Sequence, residues 1–215
     1  AAGGLLGIEG VHRILLHPSI PEIVYAGVSG LKWEDGGGRG VYKTTDGGQT
    51  WTHVLFVDER TGVSDLVMDP SDPDRMLAAT WSTREYPWSV EPRGPGSGLF
   101  LTRDGGESWI RLTEVDGLPP GDLGRIALDV FRGDPSVVYA LVDSGEGVLL
   151  RSDDRGRTWR TVRRSPDLMS PMDDPSDIVA HPLNESKLYH LSSHLSVSQD
   201  GGENFLNDGS ASGPG

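Results

Sequence analysis

One eight-residue stretch occurs four times in this chain and constrains its fold more than any other feature. Thr44-Thr45-Asp46-Gly47-Gly48-Gln49-Thr50-Trp51 returns as Thr102-Arg103-Asp104-Gly105-Gly106-Glu107-Ser108-Trp109. It returns again as Ser152-Asp153-Asp154-Arg155-Gly156-Arg157-Thr158-Trp159 and as Ser198-Gln199-Asp200-Gly201-Gly202-Glu203-Asn204-Phe205. Each copy lies between two short apolar runs, and two strand-like runs joined by an Asp-Gly segment predict a β-hairpin. The Asp can accept hydrogen bonds from N–H groups of its own turn. Gly48, Gly106, Gly156 and Gly202 hold one position in all four copies, as expected where the backbone needs a positive φ. Trp51, Trp109, Trp159 and Phe205 open the second strand and can bury a large ring between layers. A calcium loop needs more oxygen ligands and a distal Glu, so Asp46, Asp104, Asp154 and Asp200 read as structural, and no metal site is expected.

The repeated Asp residues are 58, 50 and 46 residues apart, a period that signals a propeller or a related array. The other half of each unit supports this. Val11–Leu16 before Pro18 and Ile23–Val28 read as two strands; 64–69 with 76–81, 124–129 with 137–141, and 177–180 with 188–191 repeat the pattern. Each unit is therefore four strands, A to D, with the Asp turn joining C to D. The fold class is all-β, a β-propeller of four-stranded antiparallel blades. About four blades are present (approximately 8–57, 63–113, 123–163 and 177–206, within 1–207), and the polar segment 208–215 is predicted to be disordered. Little after Phe205 can serve as an apolar outer strand, so the ring is expected to be incomplete. Missing blades, self-association or an open array each account for that.

Antiparallel order places all four Asp turns and the A–B turns on one face, and the B–C and D–A connections on the other. His17, Asp69, Asp134 and His181, each before a Pro, are expected to cap the A–B turns. From the Pro of the A–B turn to the repeated Asp is 28 residues in the first unit, 34 in the second, 19 in the third and 18 in the fourth. The surplus lies in two B–C loops, 29–39 and 82–98, and loops on a rigid scaffold carry function. The second contains Trp81, Arg84, Tyr86, Trp88 and Arg93, residues that can stack a sugar ring or hold a peptide. Alternatively, Trp81 and Trp88 fold inward and pin the loop. The first carries Trp33, and its Gly-rich character predicts an exposed flexible loop. These six residues are the candidate ligand-binding set. The D–A connections bring Asp58-Glu59-Arg60, Asp116, Asp122 and Asp173-Asp174 to the same face. Paired carboxylates about 5 to 10 Å apart are what glycoside hydrolysis requires, but acidic loop residues are ordinary here and no catalytic residue is assigned.

Composition narrows the partners. A net charge of −13 argues against nucleic acid, which wants clustered Lys and Arg. No apolar run approaches the ~20 residues of a membrane span. The chain has no Cys, which removes disulfides and thiolate metal sites, and no cofactor is indicated. The first residues lack a basic segment, so they do not read as a signal peptide.

The four motifs resemble Asp-box repeats, also called bacterial neuraminidase repeats. Together with 40–51, 54–59, 65–70, 95–100 and 123–126, they resemble bacterial sortilin-like propellers that carry a glycosyl hydrolase label. The resemblance covers roughly residues 8–205. It implies a structural role for the repeated Asp, Gly and aromatic positions, and a secreted or periplasmic setting. Such propellers include sialidases, xyloglucan-active endoglucanases, sortilin-type receptors and photosystem assembly factors. Arg13-Ile14 and Arg125-Ile126 are followed by Leu15 and Ala127, so the Arg-Ile-Pro sequence of sialidases is missing. Two functions follow: a non-catalytic, sortilin-like scaffold binding peptide or glycan, or part of a xyloglucanase- or sialidase-like glycoside hydrolase whose catalytic carboxylates lie partly outside this chain.

Overall fold

A computed structural model describes residues 8–169 and 176–207. The segment 208–215 and the pair Asp173-Asp174 lie outside the described residues. The chain forms four four-stranded antiparallel sheets. The first blade contains β1 (Val11–Leu16), β2 (Val24–Val28), β3 (Gly40–Thr44) and β4 (Thr52–Leu55). The second contains β5 (Thr61–Asp69) and β6 (Asp72–Ser82). A separate hairpin, β7 (Arg84–Tyr86) and β8 (Ser89–Glu91), is inserted before its last strands, β9 (Gly98–Thr102) and β10 (Ile110–Arg111). The third contains β11 (Ile126–Val130), β12 (Val138–Asp143), β13 (Gly147–Ser152) and β14 (Arg160–Ser165). The fourth contains β15 (Asp177–Ala180), β16 (Leu188–Leu191), β17 (Leu195–Ser198) and the two-residue β18 (Leu206–Asn207). Two single-turn 3₁₀ helices, Glu114–Asp116 and Pro166–Leu168, lie in the D–A connections. No helix among the described residues is long and apolar enough to cross a membrane.

The repeated turns close as their composition predicts. Asp46 Oδ1 accepts the N–H of Gln49 and of Thr50, both at 2.9 Å, and Asp46 Oδ2 accepts the Thr50 hydroxyl at 2.6 Å. The Thr44 hydroxyl donates to Asp46 Oδ1 and accepts the N–H of Gly48. In their own turns Asp104, Asp154 and Asp200 likewise accept the N–H four residues on at Oδ1 and that residue's side chain at Oδ2. These donors already occupy the carboxylate oxygens, and no group of three metal-ligating side chains occurs among the described residues. Gly48, with φ 92°, is one of four glycines in the left-handed region at this position.

Turn-to-turn bonds join the two turn types of each blade: Gly47 N–H to Glu22 O, Gly105 N–H to Asp74 O, Arg155 N–H to Ser136 O and Gly201 N–H to Ser186 O. The A–B turns are capped by His17 Nδ1, Asp69 Oδ1, Asp134 Oδ1 and His181 Nδ1, each accepting the N–H two residues on.

The third turn departs from the rest. Arg155 stands where the others have Gly, and it adopts φ 63°. The substitution suggests a looser turn, yet its hydrogen bonds are intact. Its guanidinium reaches back to the second blade and donates to Asp69 Oδ2 at 2.6 Å.

Blades pack face to face in sequence, one on two, two on three and three on four. Ile14, Leu66, Leu128 and Ile178 occupy one register position opposite the second strand. The last three are at most 2% exposed, whereas Ile14 is 63% exposed. Leu16 on the same face is also exposed, as are Val179, Leu191 and Leu206 on the fourth blade. The array is therefore open at both ends. Backbone donors cross from blade to blade near the axis: Leu128 N–H reaches Asp65 Oδ2 at 2.8 Å, and Ala180 N–H reaches Asp129 Oδ2 at 2.7 Å.

Candidate glycan-binding cleft

The face opposite the Asp turns holds a cleft of about 520 Å³ with lining from the first three blades and from the connection that leads into the fourth. The first blade contributes His12 and Lys32, the second Trp81, Thr83, Glu85, Pro92 and Arg93, and the third Arg125 and Asp143. Ser176, just before β15, completes the floor. The location follows from topology. B–C loops and the starts of the innermost strands converge at this end, so residues about fifty apart in sequence meet around one axis.

The two long loops form one stitched wall. Glu85 N–H donates to Lys32 O at 2.8 Å, and the same two side chains pair at 3.1 Å. Arg84 pairs with Asp35 at 2.8 Å, and Arg60 pairs with Glu91 at 2.6 Å. Arg39, a residue the sequence reading passed over, organises the first loop. It is 1% exposed, and its guanidinium donates to the carbonyls of Ser29, Leu31, Glu34 and Gly36. The loop is thus wrapped around a buried cation instead of hanging free, because one planar fork of donors satisfies four carbonyls at once. Burial pushes the Arg39 pKa down, with Asp35 opposing.

Of the six candidate residues, the structure brings Trp81 and Arg93 to the cleft. Trp81 is half-buried, its indole N–H donates to Pro92 O at 2.7 Å, and the Lys32 ammonium lies 5.4 Å from its ring. Arg93 donates twice to Asp143 Oδ1, at 2.8 and 3.0 Å. Arg84, Tyr86 and Trp88 belong to the inserted hairpin, outside the lining. There Tyr86 and Trp88 stack at 5.9 Å, with Arg84 over the Tyr86 ring. Trp88 is 82% exposed, so it does not fold inward with Trp81. Trp33 is exposed on the neighbouring loop.

Among the described residues, the acidic D–A residues do not converge. Asp58 caps the Arg60 N–H, Asp116 accepts the Thr113 N–H at the start of a 3₁₀ turn, and Asp122 is exposed. The carboxylates that line the cleft are Glu85 and Asp143, and both are ion-paired. Below them, Arg13 pairs with Asp65 at 2.6 Å, and Arg125 donates to Ser176 O at 2.6 Å. Burial and then the Arg125 charge push the His12 pKa down. Burial and then Asp65 push the Asp177 pKa up. Of the residues missed in sequence, Asp143 carried a signal: Asp143-Ser144-Gly145 is a tight-turn sequence ending a predicted strand. His12 and Arg125 carried only their places at the starts of first strands.

No family model matches the chain. A xyloglucanase from Paenibacillus sp is 30% identical over 146 residues, spanning 64% of this chain and 14% of that protein. A probable oligoxyloglucan-reducing end-specific xyloglucanase of Neosartorya fischeri is 23% identical over 214 residues, spanning 94% of this chain and 23% of that protein. The chain thus spans less than a quarter of either relative. Among solved structures, an ancestral GH74 enzyme superposes with a TM-score of 0.66 at 14% identity, covering 98% of this chain and 27% of its own. A Trypanosoma rangeli sialidase variant displaying trans-sialidase activity superposes with a TM-score of 0.52 at 13% identity, covering 94% of this chain and 38% of its own. At these identities the structural likeness establishes the propeller fold.

Proposed function

We propose that this chain is a blade set of a glycoside hydrolase-type propeller that acts on xyloglucan or a related β-glucan, with its cleft as one wall of the polysaccharide site. The observation that carries this reading is the cleft shared by three blades, walled by Trp81, in a chain similar to xyloglucanases. An indole face stacks on the apolar face of a pyranose, while fixed polar groups around it orient the hydroxyls. Tyr86 and Trp88 extend this surface along the hairpin as a second stacking platform, and Trp33 adds to it from the neighbouring loop. Further blades on the open faces of blades one and four would complete the ring. They would supply catalytic carboxylates that the described residues do not bring together.

A non-catalytic binding scaffold is the second reading. It is favoured by one observation, that Glu85 and Asp143 are both held in ion pairs instead of facing each other as acid and base. A sortilin-like peptide receptor draws no support from the xyloglucanase relatives. The test is titration calorimetry of the 215-residue chain with a xyloglucan heptasaccharide, alongside an assay for released reducing sugar. Binding that weakens about tenfold in the double variant Tyr86→Ala, Trp88→Ala is expected for loss of two stacking rings. No heat with the oligosaccharide would refute the glycan reading. Sugar release by the chain alone would refute the placement of catalytic carboxylates in other blades.

A further inference from the structure

We propose that the cleft floor recognises a sugar carboxylate, so that the β-glucan it takes is one bearing a uronic acid; this rests on the glycan-binding reading of the cleft. Three cations line the cleft, and they differ in what holds them. Lys32 is matched by Glu85 at 3.1 Å and Arg93 by Asp143 at 2.8 Å. Among the described residues, Arg125 forms no ion pair. Its hydrogen bond is one N–H, to the Ser176 carbonyl at 2.6 Å. A guanidinium carries five donors, so most of this fork is unused.

Asp65 and Asp177 act on Arg125 only through their charge, and burial outweighs both in its effect on the group. A half-buried guanidinium with spare donors is suited to a planar, bidentate carboxylate, which a C6-oxidised pyranose presents. A second observation points to a polar ligand. Thr83, 4% exposed and part of the cleft lining, has a hydroxyl with no hydrogen-bond partner among the described residues. An orphaned buried hydroxyl is costly unless something fills it, and a sugar hydroxyl is a matching partner. Among the described residues, the cleft lining carries three cations against two carboxylates, in a chain whose net charge is −13.

The probes are cellotetraose and the same tetraose with its non-reducing terminal glucose oxidised to glucuronate, each titrated calorimetrically into the 215-residue chain. The acidic form is expected to bind about tenfold tighter at low salt, the scale of one charge-assisted bidentate contact. The preference should shrink between about 20 mM and about 0.5 M NaCl as the charges are screened. Arg125→Gln should abolish the preference, while Arg125→Lys should retain part of it. Equal affinity for the two forms, or a preference that survives Arg125→Gln, overturns the carboxylate assignment and leaves the glycan reading standing. Binding of neither form overturns both. Should Arg125→Gln fail to fold, the wild-type salt series decides alone, since a preference unchanged by salt is not an ionic contact.

Discussion

Arg155 sets two effects of similar size against each other. Its φ of 63° places an L-residue in the left-handed region, at a cost of about 1 to 2 kcal/mol. Against that, its guanidinium pairs with Asp69, whose side chain is 5% exposed, across the second and third blades. The pair is worth about 1 kcal/mol, because the Arg itself is 38% exposed and partly screened. Arg155→Gly releases the strain and loses the pair, and it adds about 0.5 to 1 kcal/mol of unfolded-state entropy. The sum lies within about 1 kcal/mol of the parent. Arg155→Ala loses the pair and keeps the strain, so it should be about 1 kcal/mol less stable than Arg155→Gly, or some 2–4 °C in Tm for a chain of this size. Thermal melting of the two variants gives the ordering. Asp69→Ala, made in the parent and in the Arg155→Gly background, gives the pair's coupling energy. Asp69 also caps the Ser71 N–H at 2.8 Å, so its removal is costly in both backgrounds, and only the difference reports the ion pair. An Ala variant as stable as the Gly variant would refute the strain. A coupling near zero would refute the interblade pair.

Two further outcomes are expected. Asp46, Asp104 and Asp200 are pushed down to about 2 by the donors of their own turns, below the ordinary value near 3.9 of an unfolded chain. Their contribution is therefore complete above about pH 4 and is lost as pH falls toward 2; melting curves across that range should decline, and Asn at all three positions should flatten the decline. Leu128→Ala should cost about 3 kcal/mol in urea unfolding, whereas Ile14→Ala at the equivalent but open position should cost under about 0.5 kcal/mol; equal losses would mean that another surface covers blade one.

The fold was legible because its signals are local and repeated. The Asp of each turn bonds to the N–H four residues on, so every element needed to recognise it lies within eight residues, and the spacing of four copies then gives the blades. Trp81 was legible as well, since an aromatic-rich insertion announces itself in any register. The cleft was not, because no two of its blades contribute neighbouring residues. Arg125 and Asp143 face each other within one blade, but they meet His12 and Trp81 only once the blades are arranged around an axis, and nothing in the composition of any one segment marks that meeting. Arg39 was hidden for a different reason. In a Gly-rich loop a charged residue reads as solvated, yet the same glycines let four carbonyls turn inward toward one guanidinium. Exposure therefore misleads in both directions here. The loop that looked free is built around a buried cation, and Trp88, which looked able to pin its loop, is its most exposed aromatic. What decides each case is whether the backbone nearby has unsatisfied carbonyls to offer, a property of the folded turn that residue type alone does not carry.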